Sequence, residues 1–235
     1  ANAANLNAGV TVSGTASDNF GIAVASVSYQ ESNSLMYYSE LTSTFSSVSQ
    51  RWIGAALAGS APNYTFSIAG PVIADSDGRN YNFYAIAKNN AGTFSTPTSI
   101  TIKYDTTKPA ATITHPANIG YFKVVSSATG TGSDPGTGSS GLAGTQIQYK
   151  RLNDGICWNA GAWSASCLDE SSWLTSVAGT PWTKNTQLPA SNNASSGLED
   201  GFRYQISARS FDVATNTQTA VAVTNFRFDV SSPVV

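Results

Sequence analysis

The chain has 235 residues, a formal net charge of −2 and 11% charged against 41% hydrophobic side chains, where an average soluble protein carries roughly 25% charge. Its 12 lysines and arginines are scattered, with Lys150-Arg151 the one adjacent pair, which excludes a basic stripe able to neutralise a phosphate backbone, so nucleic acid is not an expected partner. No apolar run approaches the roughly 18 residues of a membrane span, and residues 1–9 lack the charged and apolar regions of a secretion signal, so no membrane insertion is expected of this segment.

From the start of the chain, β-formers cluster or alternate at residues 10–12, 24–29, 64–68, 81–87 and 99–104, bounded by Gly, Pro, Asn and Asp, and read as strands. Residues 49–58 are the one stretch that suggests a short turn. Beyond Tyr104, residues 110–114 predict a lead-in strand, followed by another at Val124-Val125.

The main observation is a repeat. Gly14-Thr-Ala-Ser-Asp18 returns as Gly130-Thr-Gly-Ser-Asp134. Asp77-Gly78, with Tyr81, Phe83, Ala85 and Ala87, returns as Asp200-Gly201 with Tyr204, Ile206, Ala208 and Ser210. Tyr104-Asp-Thr-Thr-Lys-Pro109 returns as Phe228-Asp-Val-Ser-Ser-Pro233. The separations from Gly14 to Gly130, Asp77 to Asp200 and Tyr104 to Phe228 are 116, 123 and 124, so the second copy carries insertions. Weaker matches pair Tyr29 with Tyr149, Trp52-Ile53 with Trp173-Leu174, and Tyr64 with Trp182. Repeats of this length are one domain each. The reading is an all-β chain of two tandem immunoglobulin-like antiparallel β-sandwiches, at residues 1–105 and 110–229, joined by a linker at 106–109, with 230–235 opening a further linker and strand.

Asp-Gly suits a tight turn, because glycine takes positive φ cheaply. The tyrosine that follows, Tyr81 or Tyr204, can bury its ring and bond its hydroxyl back to the turn, as in the tyrosine corner of such sandwiches.

With these residues in hand, the chain resembles the bacterial immunoglobulin-like repeats of large surface proteins and adhesins. Those domains end on an aromatic followed by Asp-Thr-Thr-x-Pro, as Tyr104 to Pro109 do, and carry Asp-Gly-x-Tyr and Asp-x-Ala-Gly-Asn segments in their later half, as residues 77–92 and 200–216 do. Cys157-Trp158-Asn159-Ala-Gly-Ala-Trp163 is similar to an insertion seen in some of them. Asn89 departs from the pattern where the first copy would carry Asp. The resemblance implies a non-catalytic spacer, stalk or filament segment at the cell surface. The alternative is an adhesin module that binds glycan or protein through the Trp-rich loop.

Candidate sites follow. Cys157 and Cys167, with nine residues between them, suit a disulfide in an oxidising compartment, about 2.5–3 kcal/mol on the chain-entropy model. No cofactor is required; calcium, a hard cation that wants several oxygen ligands, would find them at Asp105, Asp134 and Asp212, with Asp18 and Asp229 as equivalents at neighbouring junctions, and the plainer reading of the same residues is Asx turns and caps. Trp158 and Trp163 are the candidate sugar platforms, against a structural role in packing. Catalysis has little to draw on. His115 is the only histidine, zinc lacks ligands, and the acid pairs Asp75/Asp77, Asp169/Glu170 and Glu199/Asp200 read as solvated turn residues rather than a glycosidase pair.

The lead-in strand of the second copy has no match in residues 1–9, and Pro233, Val234 and Val235 begin such a strand anew. Two explanations stand: a window cut from a longer array, or head-to-tail assembly in which Pro233 to Val235 complete the first domain of the next copy by strand addition.

Overall fold

A computed structural model describes residues 4–6, 11–71, 77–175, 177–191 and 197–235. The chain divides into two compact units, one of Ala1–Thr106 with Gly136–Ser140, the other of Thr107–Pro135 with Gly141–Val235. Both are β-sandwiches of the immunoglobulin-like class. Among the described residues no helix is long and apolar enough to cross a membrane.

The first unit contains β1 (Ala4–Leu6), β2 (Thr11–Ser17), β3 (Ile22–Glu31), β4 (Tyr37–Ser39), β5 (Thr44–Ser47), β6 (Ile53–Ser60), β7 (Asn63–Ala69), β8 (Asn80–Asn89) and β9 (Thr98–Tyr104). Hydrogen bonding runs β1-β9-β8-β3-β6-β7-β2, with the β4–β5 hairpin attached to β3. The chain changes sheets on β6, whose residues 53–55 pair with β3 and residues 56–60 with β7. Residues 53–58, placed in a turn by the sequence reading, are therefore strand. Their small side chains alternate between half-buried and exposed, as a bridge between two sheets requires. The core is built by alternation on the central pair: Val27 faces Ala85 and Tyr29 faces Phe83, the last two rings meeting edge to face at 4.9 Å. Val27, Tyr29, Ile53, Tyr81, Phe83 and Ile102 close it.

The second unit contains β10 (Ala110–His115), β11 (Gly120–Phe122), β12 (Ala128–Ser133), β13 (Leu142–Arg151), β14 (Cys157–Trp158), β15 (Trp163–Ala165), a 3-10 turn at Glu170–Ser172, β16 (Trp182–Lys184), β17 (Ala190–Ser191), β18 (Gly197–Leu198), β19 (Arg203–Asp212) and β20 (Ala222–Phe228). One sheet runs β10-β12-β16 and the other β11-β20-β19-β13-β14-β15. Its central pair repeats that of the first unit, with Tyr149 facing Ile206 and Ile147 facing Ala208. Trp182, Leu198, Tyr204, Ile206 and Phe228 are fully buried around them.

Three further details differ from the sequence reading. Val124 and Val125 lie between strands, because the chain there crosses from β11 to β12. Part of residues 1–9 is extended: β1 pairs parallel with β9 through Leu6 and Tyr104, just as β11 pairs parallel with β20 through Phe122 and Phe228. The aromatic matching Trp182 is Phe66 rather than Tyr64, since Gly14 pairs with Phe66 and Gly130 with Trp182. A Cβ on Gly14 would come within 2.5 Å of the Phe66 ring and one on Gly130 within 2.4 Å of the Trp182 indole, so in each unit a glycine makes room for the ring opposite.

Candidate functional site

Two loops at the end of the second unit bring Asp134 and Asp212 together, with carboxylate oxygens within 4.8 Å of each other. Asp134 follows β12, and its Oδ2 accepts the Gly141 N–H at 2.7 Å. Asp212 closes β19; its Oδ1 accepts the Asn216 N–H and its Oδ2 the Asn216 Nδ2–H, both at 2.7 Å, which ties the hairpin leading to β20. Two like charges at this separation repel by about 3.5 kcal/mol at an effective dielectric of about 20. A divalent cation would reverse that sign, and the backbone N–H groups offset part of it.

In the first unit the matching residues are Asp18 and Asn89. There the Asn89 amide donates to Asp18 Oδ2 at 3.2 Å, while its own Oδ1 accepts the N–H of Ala91 and Thr93 at 3.1 and 2.9 Å. Asn89, standing where the second unit has Asp212, thus replaces a carboxylate pair by a hydrogen bond. Asp105, fully buried at the end of β9, accepts the Ser140 N–H at 2.5 Å within the first unit. Asp229 is exposed, and its carboxylate accepts the Ser231 N–H at 3.2 Å.

Cys157 and Cys167 form a disulfide with Cα atoms 5.1 Å apart. It ties down the β14–β15 hairpin, in which Trp158 pairs with Trp163. The Trp158 indole N–H donates to the Gln187 carbonyl and that of Trp163 to the Gly197 carbonyl, each at 2.6 Å. Trp158 is 3% exposed, so it offers no free ring face to a sugar. Trp163 is half-buried, 5.3 Å from the Trp158 ring and 5.4 Å from the Tyr204 ring, with the Arg151 guanidinium 5.3 Å from its ring centre. Arg151 is held by Asp154 at 2.6 Å and Glu199 at 2.7 Å. The Trp-rich insertion is an extension of the second core, not a platform in solvent. The sequence shows the rings and the cysteines, but Arg151, Gln187 and Gly197 approach them only in the fold.

The phenol of Tyr204, fully buried, accepts the Glu199 N–H at 2.7 Å. Tyr81 is equally buried; residues 72–76, which precede its turn, lie outside the described residues, as does Asp75. The Asp-Gly residues hold more than their own turns. Asp77 Oδ1 accepts the Thr106 N–H at 2.6 Å and the Thr106 hydroxyl at 3.1 Å. Asp200 Oδ1 accepts the Val230 N–H at 2.7 Å, and its Oδ2 the Ser231 hydroxyl. The Ser231 hydroxyl, then the Val230 N–H, hold the Asp200 carboxyl below the usual carboxylate range. Each aspartate thereby fastens the segment that leaves its unit's last strand, a partnership across some thirty residues that no local motif announces.

No family model matches this chain, and no curated protein matches it. Among solved structures, it is similar to fibronectin(III)-like modules of Clostridium thermocellum CbhA, at 15% identity over 99% of this chain and 94% of that one, with a TM-score of 0.43. It is also similar to the chicken CNTN1 FN1-FN3 domains, at 12% identity over 93% of this chain and 62% of that one, TM-score 0.45. A 1.5-MDa bacterial ice-binding adhesin aligns at 16% identity over 97% and 62%, TM-score 0.39.

The residues that catalysis would use have structural employment. His115 is half-buried, edge-on to Phe122 at 5.4 Å, and among the described residues no hydrogen bond joins it to a Ser, Cys or carboxylate. Glu199 pairs with Arg151, and Glu170 pairs with Arg209, whose guanidinium lies 4.2 Å from the Trp173 ring centre. Lys184 is 3% exposed and donates to the Thr175 carbonyl and to Gln187 Oε1, both at 2.8 Å; burial pushes its pKa down.

Proposed function

We propose that this chain is a non-catalytic structural segment of an extracellular surface protein built from bacterial immunoglobulin-like repeats, a stalk or spacer that passes tension from one sandwich to the next. The observation that carries this reading is the parallel pairing of β1 with β9 and of β11 with β20. In the first unit β1 runs beside the exit strand β9, and in the second β11, the strand after β10, runs beside the exit strand β20, each pair in the same direction. A pull on the chain loads such a pair in shear, so all its ladder hydrogen bonds must yield together, where an antiparallel hairpin pulled from its ends opens one bond at a time. Asp77 and Asp200 fasten the exit just beyond the loaded strands. The Cys157–Cys167 disulfide agrees with an oxidising exterior, where such bonds persist.

Single-molecule pulling tests it. Stretching from the chain ends is expected to give two unfolding events, each lengthening the chain by roughly 35 nm at about 3.4 Å per residue, at forces well above those needed when the same unit is pulled across the β8–β9 hairpin. Equal forces in the two directions would remove the mechanical reading.

A further inference from the structure

The two units build the same sheet face from different chemistry. In the first, the strands that bury Tyr29, Tyr81, Phe83 and Ile102 turn the residues between them to the other side. There Gln30, Asn82 and Thr101 stand in one row across β3, β8 and β9. The Asn82 amide and the Tyr84 hydroxyl donate to Gln30 Oε1 at 3.4 and 3.1 Å, and the Thr101 hydroxyl donates to Asn82 Oδ1 at 2.8 Å. In the next row Asn80 pairs with Lys103, whose ammonium donates to the Ser139 carbonyl at 2.7 Å. These polar groups meet one another, and the one cation among them is engaged.

In the second unit the same ladder positions hold Lys150, Gln205 and Asn225 in one row and Arg203 and Arg227 in the next. Arg203 stands directly opposite Arg227, and Lys150 is the diagonal neighbour of Arg203. Like charges so placed repel. The first unit makes the same sheet with Asn80 and Gln30 at the places of Arg203 and Lys150, so the fold does not require them. Among the described residues no carboxylate pairs with any of the three cations. The acids of the adjoining turns are engaged elsewhere, Asp154 and Glu199 with Arg151 and Asp200 with Val230 and Ser231. On the next strand Tyr121 pairs with Arg227 and is 69% exposed. Gln205 donates to Asn225 Oδ1 at 3.2 Å, and among the described residues the Asn225 side-chain N–H groups have no acceptor. An open trough of ≈ 580 Å³ is lined by Tyr121, Arg203, Asn225 and Arg227.

We propose that this face of the second unit binds an acidic polysaccharide, a chain of hexuronic acid residues. The guanidinium forks of Arg203 and Arg227 each match a carboxylate through two hydrogen bonds, and Lys150 supplies a further cation one strand away. The exposed Tyr121 ring takes the apolar face of a pyranose, and the Asn225 amide donates to its hydroxyls. An open trough suits a polymer lying across the strands, and a stiff sugar chain loses less freedom there than an acidic peptide does. A phosphate polymer would satisfy the charge but offers no apolar ring face to Tyr121. The inference adds a ligand surface to the structural segment and is independent of how that segment bears tension.

Titration calorimetry of the full chain with an oligogalacturonate tests it, beside a neutral cello-oligosaccharide, polyglutamate and polyphosphate of equal length. The oligogalacturonate is expected to bind about tenfold tighter than any of the other three. The double variant Lys150→Gln with Arg203→Asn installs what the first unit carries at both places, and should weaken binding about tenfold and flatten its salt dependence. Tyr121→Ala should weaken it by about the same factor with the salt dependence kept. Arg203 and Tyr121 are exposed and Lys150 half-buried, so melting temperatures close to that of the parent chain are expected and separate lost binding from lost folding. No binding of the oligogalacturonate, equally tight binding of polyglutamate or polyphosphate, or indifference to either variant would overturn the proposal. The pulling experiment reads none of these side chains, so either reading can fail alone.

Discussion

The hydroxyl oxygen of Tyr204 accepts the backbone N–H of Glu199 at 2.7 Å from a fully buried position. That N–H belongs to the residue just before the Asp200-Gly201 turn, so one phenol joins the start of β19 to the loop that feeds it. Removing the hydroxyl leaves a donor without its acceptor in a dry place. Tyr204→Phe is expected to cost about 1–3 kcal/mol, read as a lowered unfolding midpoint of the second unit in denaturant. The ring, stacked at 5.5 Å on Phe226, keeps its packing, so the fold should survive.

Asp134 and Asp212 give a metal-dependent prediction. If calcium binds where their carboxylates meet, adding it should raise the melting temperature of the second unit, and a chelator should reverse the rise. Asp212→Asn reproduces the Asp18–Asn89 arrangement of the first unit, in which an amide meets the carboxylate directly. That variant should lose the calcium response while keeping most of its stability in chelator, as relief of repulsion offsets the altered bond to Asn216. Identical melting curves with and without calcium for the parent chain would assign these loops to hydrogen bonding alone.

Alkali should destabilise both units through their buried phenols. Burial first, then the neighbouring Tyr38 and Glu40, pushes the Tyr29 pKa from 10.0 up to about 12. Burial likewise raises Tyr149 and Tyr204. A phenol whose pKa is raised by folding ionises first in the unfolded chain. Its stabilisation is therefore complete below about pH 10 and is lost as the pH climbs through about 12. Circular-dichroism melts across that range should fall steeply above pH 10, with phenolate absorbance appearing together with unfolding. A melting temperature that stays level to pH 12 would contradict the burial of these rings.

The class of fold, the repeat and the central strands are legible in the order of the residues. Alternation such as Tyr81, Phe83 and Ala85 is a local consequence of strand geometry, and Asp-Gly turns are local too. That order also sets the two cysteines close enough along the chain to bond, and it singles out the aspartates whose loops face one another in the second unit.

Which partner each of these side chains meets is set by the folded sandwich. The Trp158 and Trp163 rings are packed and hydrogen-bonded because Gln187 and Gly197, distant in sequence, arrive beside them. Phe66 rather than Tyr64 answers Trp182 because the ladder register, not aromatic character, sets which residue stands opposite Gly14. The small residues of β6 carry too little periodicity to announce a strand that serves two sheets, and three residues of β1 are too few to do so. Local signals arise from the backbone's own geometry and survive in a one-dimensional reading, whereas register, burial and caps across thirty residues are set by the whole sandwich closing at once.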